Sequence, residues 1–302
     1  MSRLRPDDVQ RYSALIESAL GRLFLFRAET EIGSAVQVER GTIFPMCVRG
    51  SGSAELGSRL GRLAQLADQE KAGGVTVVDR AGHTRPAYLG LLLYSCIQAY
   101  RLCRDDISNL PFEQWADVLR AWGGVIEAQT SPFEWPIGGM PALRGAGAAA
   151  SAWVALALYA GGLAFRDERW TQIAHDTFGR LAAGQQASGA FLRASASDNP
   201  ETLWYHELVL LHAATSYAAQ SNNALVTAAV MQAADYHLTQ TQPDHASAQP
   251  WGILAFIWRG ETRPLADQML HTLQVQQPGL PDGVSSILLA DALYCLRLLG
   301  RP

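Results

Sequence analysis

The chain predicts an all-α fold built from helical hairpins in two layers. Helical periodicity covers most of its 302 residues. Helices that are apolar all round alternate with helices that are apolar on one face. A unit of loop, apolar helix, polar elbow, one-faced helix and polar loop recurs, most legibly over 185–258. An all-apolar helix has to be covered on every side, whereas a one-faced helix keeps its polar face in water. The alternation therefore places the first kind inside and the second kind outside. The repeats vary in length, which excludes a short-period solenoid.

The elements follow in chain order. Pro6-Asp7-Asp8 opens a helix running to about Arg27, with Leu15, Leu20, Leu23 and Phe24 among its apolar positions. Residues 29–50 read differently: EIGSAVQVER and GTIFPMCV have the β-branched look of one or two short strands. A helix is expected from about Ser53 to Lys71, then Gly73-Gly74 breaks the pattern and VTVV makes 73–79 a second strand-like stretch. Thr84-Arg85-Pro86 has the cap-then-proline start of the next helix, and Leu110-Pro111-Phe112 begins another that carries Trp115, Leu119 and Val125. After the proline-rich SPFEWPIGGMP loop, apolar helices near 143–162, 199–219 and 284–299 alternate with amphipathic ones near 167–183, 222–240 and 263–275. A shorter helix falls near 248–258. The inner helices are expected to start near residues 7, 84, 143, 199, 248 and 284, in one domain spanning 1–302.

Composition excludes several classes. Apolar residues make up 48% and charged residues 17%, ample to offset chain entropy, so disorder is not expected. A net charge of -4 argues against a general nucleic-acid binder, which carries a basic face. Cys47, Cys96, Cys103 and Cys295 form no C-x-x-C pair and no metal-ligand spacing, and Cys96 and Cys103 suit two buried thiols on one helix. No metal or cofactor is expected. Reduced thiols and an N-terminus without the apolar core of a signal peptide give a cytoplasmic expectation. The uncharged stretch 145–165, GAGAAASAWVALALYAGGLAF, is long enough to span a bilayer. Its Gly and Ala content and its charged flanks favour a helix packed tightly among others, with a membrane span as the competing reading.

Loop-plus-helix units such as GQQASGAFL followed by NPETLWYHELVLLHAATSYA resemble the α/α-toroid proteins, which include six-hairpin glycosidases, polysaccharide lyases and terpenoid cyclases. The resemblance covers roughly 84–299 as a pattern. It implies a complete or incomplete toroid with a site in its central cavity, and a carbohydrate-active enzyme acting by hydrolysis or β-elimination. The D-x-D-D cyclase motif is missing, and the prenyltransferase zinc ligands have no clear match.

The strongest candidate cluster is Asp198 to Glu207. Asp198 or Asn199 can cap the helix, with Pro200 in its first turn and Glu201 near the positive end of the dipole. Glu207 is harder to explain by capping, because its helical neighbours Leu203, Trp204, Leu210, Leu211 and Ala214 form an apolar stripe. A carboxylate there is paired, protonated or facing a cavity. In a toroid Glu207 would be a general acid with a raised pKa, and His206 or Tyr205 its proton-transfer partner. Toroidal lyases commonly use Tyr and His for proton abstraction beside a uronate, and Tyr205-His206 resembles that equipment. The plain alternative is a structural glutamate bonded to an arginine or to backbone. Asp244 and His245 form a second candidate in the loop before Trp251, against an ordinary polar turn. Glu134 and Trp135 form a third; aromatics such as Trp135, Trp204 and Trp251 stack on sugars as readily as they fill cores. Arg193 could hold a substrate carboxylate.

Sharper chemistries fail on spacing. His206 and His212 lie about 120° apart around a helix and cannot share a metal. Gly145-Ala146-Gly147-Ala148-Ala149-Ala150 fits G-x-G-x-x-A without the strand a dinucleotide fold needs, and no G-x-S-x-G elbow is present. The rival to the enzyme is a non-catalytic helical scaffold that binds a protein or small ligand through its concave face.

Overall fold

The computed structural model describes residues 4–25, 44–49, 86–102, 116–117, 120, 123–124, 144–194, 198–241, 243–275 and 283–301. Among them every regular element is helical: α1 (Pro6–Leu25), α2 (Pro86–Leu102), α3 (Arg144–Phe165), α4 (Glu168–Ala183), α5 (Pro200–Ser221), α6 (Ala224–Gln240), α7 (Pro243–Ala246), α8 (Ile253–Arg259), α9 (Arg263–Val275) and α10 (Gly283–Leu299).

Local signals place the boundaries. Asn199 caps α5, its side chain accepting from Glu201 N at 2.9 Å and Thr202 N at 3.3 Å, with Pro200 as the first helical residue. Asp167 and Asn223 cap α4 and α6 in the same way. The turns from α3 into α4 and from α5 into α6 each pass through one left-handed residue, Arg166 at φ 60° and Asn222 at φ 55°. Each makes a tight hairpin of an apolar helix and a one-faced one.

The apolar helices share a direction. Gly90 of α2 lies against Trp153 of α3, and Tyr100 stacks on Phe165 further along both. Trp153 then meets His212 of α5 as Tyr159 meets Tyr217, so α2, α3 and α5 run parallel. Helix α5 packs against α3, α6, α7, α8 and α10; α10 in turn packs against α1, α2 and α8. Helices α4 and α6 lie against these and against each other, while α9 joins α8 to α1. The 147–165 stretch is the one described helix long and apolar enough to cross a membrane, and 83% of it is buried inside the protein by these neighbours.

Small residues let the inner helices approach. A Cβ added to Gly90 would sit 2.9 Å from the Trp153 backbone, inside contact distance, so α2 and α3 touch through backbone. Gly90→Ala is expected to lower stability by about 1–3 kcal/mol, read as the urea midpoint. Gly179→Ala on α4, which meets open space, should be neutral or gain up to about 1 kcal/mol.

Two expectations change. Helix α1 is an outer helix: it buries one stripe, Tyr12, Ile16, Ala19 and Leu20, and leaves Asp7, Arg11 and Glu17 exposed. Of the strand-like segments only 44–49 is described, and it is helical. Phe44, Met46 and Val48 are buried, Phe44 against Tyr94 and Tyr294, and Arg297 donates to the Val48 carbonyl at 2.7 Å. Tertiary packing overrides β propensity there. The remainder of 29–50, the 73–79 stretch and the helix expected at 53–71 lie outside the described residues. Cys96 and Cys295 are buried and Cys47 is half-buried.

Candidate functional site

The first turns of α5 carry four of the residues singled out above, Trp204, Tyr205, His206 and Glu207. Trp204, Tyr205 and His206 are half-buried there, and Arg193 is exposed on the preceding loop. Tyr205 lies edge-on to His206 at 5.5 Å and to Trp251 at 6.3 Å between ring centroids. Trp251 is fully enclosed, its indole N–H donating to Gln249 Oε1 at 2.7 Å. Asp244 and His245 lie on α7, which packs against α5; their side chains fall outside the described residues, as do Glu134 and Trp135.

Glu207 is fully buried, and its two oxygens accept backbone N–H groups of one loop: Phe191 N to Oε2 at 3.0 Å and Leu192 N to Oε1 at 2.6 Å. Burial pushes its carboxyl up to about 7, with these two donors pulling the other way. Tyr236 on α6 is shifted upward by burial and by the nearby Glu207 charge. The loop is tightly seated. Gln185 Nε2 donates to the carbonyls of Gly189 and Ala229, both at 2.8 Å. Gly189 adopts φ 94°, where an added Cβ would meet the Gln232 carbonyl at 2.5 Å. This is the backbone-bonded arrangement weighed above as the plain alternative to a general acid.

A second polar group sits among α2, α5 and α10. Asp291 is fully buried; Tyr94 OH donates to its Oδ1 at 2.5 Å and Ser216 Oγ donates to Oδ2. Gly252 N donates to His212 Nδ1 at 3.1 Å, which leaves the neutral ring's proton on Nε2, 3.3 Å from Asp291 Oδ2. That approach is close enough for attraction, although its angle is too poor for a hydrogen bond. Gln98 and Gln220 both donate to Tyr94 OH, at 2.7 and 2.8 Å, and Arg101 donates to Gln98 Oε1 at 2.8 Å and Gln220 Oε1 at 3.1 Å. Burial, then the Asp291 charge, raises the Tyr94 phenol and the Cys295 thiol well above their usual values. Trp153, His212 and Trp251 meet ring to ring at 5.8–5.9 Å and connect this network to Tyr205.

A seam of polar and aromatic side chains thus runs through apolar helices, from half-buried Tyr205 to half-buried Arg101. Sequence reasoning passed over it, although the signal was present. His212, Ser216 and Gln220 recur every four residues on α5, a polar stripe on one face of an apolar helix, and Asp291 is the one acidic residue of α10. Ser216 bonds to Asp291 and to the His212 backbone carbonyl but not to the His212 ring, and all three residues are enclosed, so they do not form a nucleophilic triad. Among the described residues no group of three metal-ligating side chains converges.

Comparison with protein-family models, with curated proteins and with solved structures returns no match for this chain.

Proposed function

We propose that this chain is an α/α-toroid-type protein that binds a carbohydrate, an acidic one by expectation, at the rim where the α5 helix begins. One observation carries the reading. Half-buried Trp204, Tyr205 and His206 follow one another on the first turns of α5, and exposed Arg193 follows directly on the loop residues whose backbone Glu207 bonds. Such aromatics offer faces for sugar rings, hydroxyl and imidazole groups offer directional bonds, and a guanidinium matches a uronate carboxylate. The succession of contacts from α2 to α3, α5, α8, α10 and back to α2, with α2, α3 and α5 parallel, supports the toroid.

As an enzyme, the chain would use Tyr205 and His206 to move protons in a β-elimination, with His245 from α7 as the further candidate. Both Glu207 oxygens are engaged by backbone, which fits a glutamate that holds the rim better than one that protonates a leaving group. The second reading, a non-catalytic scaffold that binds a protein or small ligand, is favoured by the enclosed interior: Trp153, His212, Trp251 and Asp291 are all without exposure.

Calorimetric titration with neutral and uronic oligosaccharides tests the proposal. Uronic oligomers are expected to bind. Trp204→Ala should weaken binding about tenfold, the worth of one stacked ring, and Arg193→Gln should erase the preference for acidic over neutral sugars. Unsaturated product appearing on incubation would establish the lyase. Absence of binding by every sugar would remove the carbohydrate reading and leave the scaffold.

A further inference from the structure

We propose that Arg101 anchors a second ligand site, where α2 and α5 end, and that the site takes the oxyanion (phosphate or carboxylate) of a small molecule. Arg101, Arg259 and Arg263 are the half-buried arginines among the described residues. Two of them meet carboxylates: Arg259 bonds Asp235 at 3.0 Å and Arg263 bonds Asp8 at 2.9 Å. Among the described residues Arg101 meets none. Its bonds go to two neutral amide oxygens, Gln98 Oε1 at 2.8 Å and Gln220 Oε1 at 3.1 Å. Both leave from Nη1. The other edge, Nε–H with Nη2–H, is the fork with which a guanidinium grips two oxygens of one anion, and neither atom bonds a described residue.

The ordinary reason for an arginine in the last turn of a helix is the set of free carbonyls there. Arg101 bonds no backbone oxygen of a described residue, whereas Arg263 donates to the Ile257 carbonyl and Arg297 to that of Val48. It is fixed from the interior instead. Gln98 and Gln220 both donate to Tyr94 OH, and Tyr94 donates to buried Asp291. Asp291 is engaged by Tyr94 and Ser216, so it steadies the guanidinium through neutral groups and is not its counter-ion. A fork held in this way loses little further freedom on gripping an anion. Its surroundings agree. The half-buried Tyr294 phenol is raised by burial and lowered by Arg101 and Arg301, and the Tyr159 phenol is raised by burial and lowered by Arg101. Two hydroxyls therefore lie in the field of Arg101, and one also in that of exposed Arg301, which follows α10. Helix ends here oppose an anion with about half an elementary charge each; two whole guanidinium charges face them. About 22 Å of helix separates Gln220 from Tyr205, so the site does not rest on the carbohydrate reading of the α5 rim.

Titration of the native protein with sodium phosphate and with sodium succinate tests the site, read at the Arg101 side-chain Nε–H by NMR. Ionic strength is held constant with sodium chloride, so that screening does not imitate binding. A saturable shift of that resonance is expected. Saturation by phosphate alone assigns a phosphorylated ligand, and saturation by succinate alone a carboxylic acid. Arg101→Lys keeps the charge and loses the fork, and it should weaken binding about tenfold by calorimetry. Arg301→Gln, a change at an exposed position, should weaken it about threefold with the melting temperature unchanged. Arg193→Gln, at the other end of α5, should leave it as it is. An Arg101 resonance that neither salt moves overturns the proposal, and so does undiminished binding in Arg101→Lys.

Discussion

Asp291→Ala is expected to lower stability by about 3–5 kcal/mol, the range for removing one partner of a buried charged network. Asp291 is the common acceptor for Tyr94, Ser216 and, more loosely, His212. These losses are not equal. Ser216 can turn its one proton to the His212 carbonyl, 3.1 Å away, so its hydroxyl retains a partner. Tyr94 OH already accepts from Gln98 and Gln220, and its own proton goes to Asp291. Without the carboxylate that proton is left in an apolar interior, and the His212 Nε2–H loses its attraction. Each stranded donor costs about 1–3 kcal/mol. A double-mutant cycle separates this from simple loss of volume. Tyr94→Phe with Asp291→Ala should cost clearly less than the sum of the singles, because the phenylalanine brings no stranded proton. Strict additivity in urea unfolding would mean that the network contributes nothing beyond packing.

The Glu207→Gln variant should differ from the native protein in a pH-dependent way. A carboxyl raised from 4.5 to about 7 on folding contributes stability that is full below pH 4.5 and lost as pH rises through 7. Its span is about 3 kcal/mol, at about 1.4 kcal/mol per unit. His237 acts in the opposite sense. Its ring is fully buried, with Nδ1 beside the Thr241 hydroxyl at 2.9 Å, and burial lowers it from 6.5 to about 3. Its contribution is present above pH 6.5 and disappears as pH falls through 3. Between pH 4.5 and 6.5 the two slopes oppose, so the native protein should show a nearly flat profile from these groups. Glu207→Gln retains only the His237 slope and should gain stability steadily with pH across that window. The Gln amide also turns an N–H₂ toward one of the two loop donors, which costs about 1–3 kcal/mol relative to the carboxylate. Parallel stability curves for the two proteins would show that Glu207 does not titrate with folding.

Helix positions were legible because they depend on neighbours three and four residues away. The sequence offered Asp198 or Asn199 with Pro200 as the start of α5 and helices from near 167 and 222, and the structure begins α5, α4 and α6 within a residue or two of those positions. The 44–49 segment was misread because its apolar alternation fits a strand, whereas burial of Phe44, Met46 and Val48 on a short helix needs Tyr94 and Tyr294 from distant parts of the chain. The exposed face of α1 was misjudged for a related reason: whether a stripe lies inside or outside depends on what comes to cover it. Glu207 stood out in the sequence as a carboxylate in an apolar stripe. Its partners did not, since loop backbone N–H groups carry no residue-type signature.

The sequence by itself determined the helical class, the alternation of apolar and one-faced helices, the capped start of α5, and the anomaly at Glu207. All of these follow from propensity and from spacing along one helix. Only the tertiary structure decided that α1 lies outside, that residues 44–49 are helical, that Glu207 bonds the 191–192 backbone, and that Tyr94, His212, Ser216 and Asp291 meet. Those facts depend on groups far apart in the chain that become neighbours when apolar helices pack. The strength of a buried polar contact is set by that enclosure and not by local sequence.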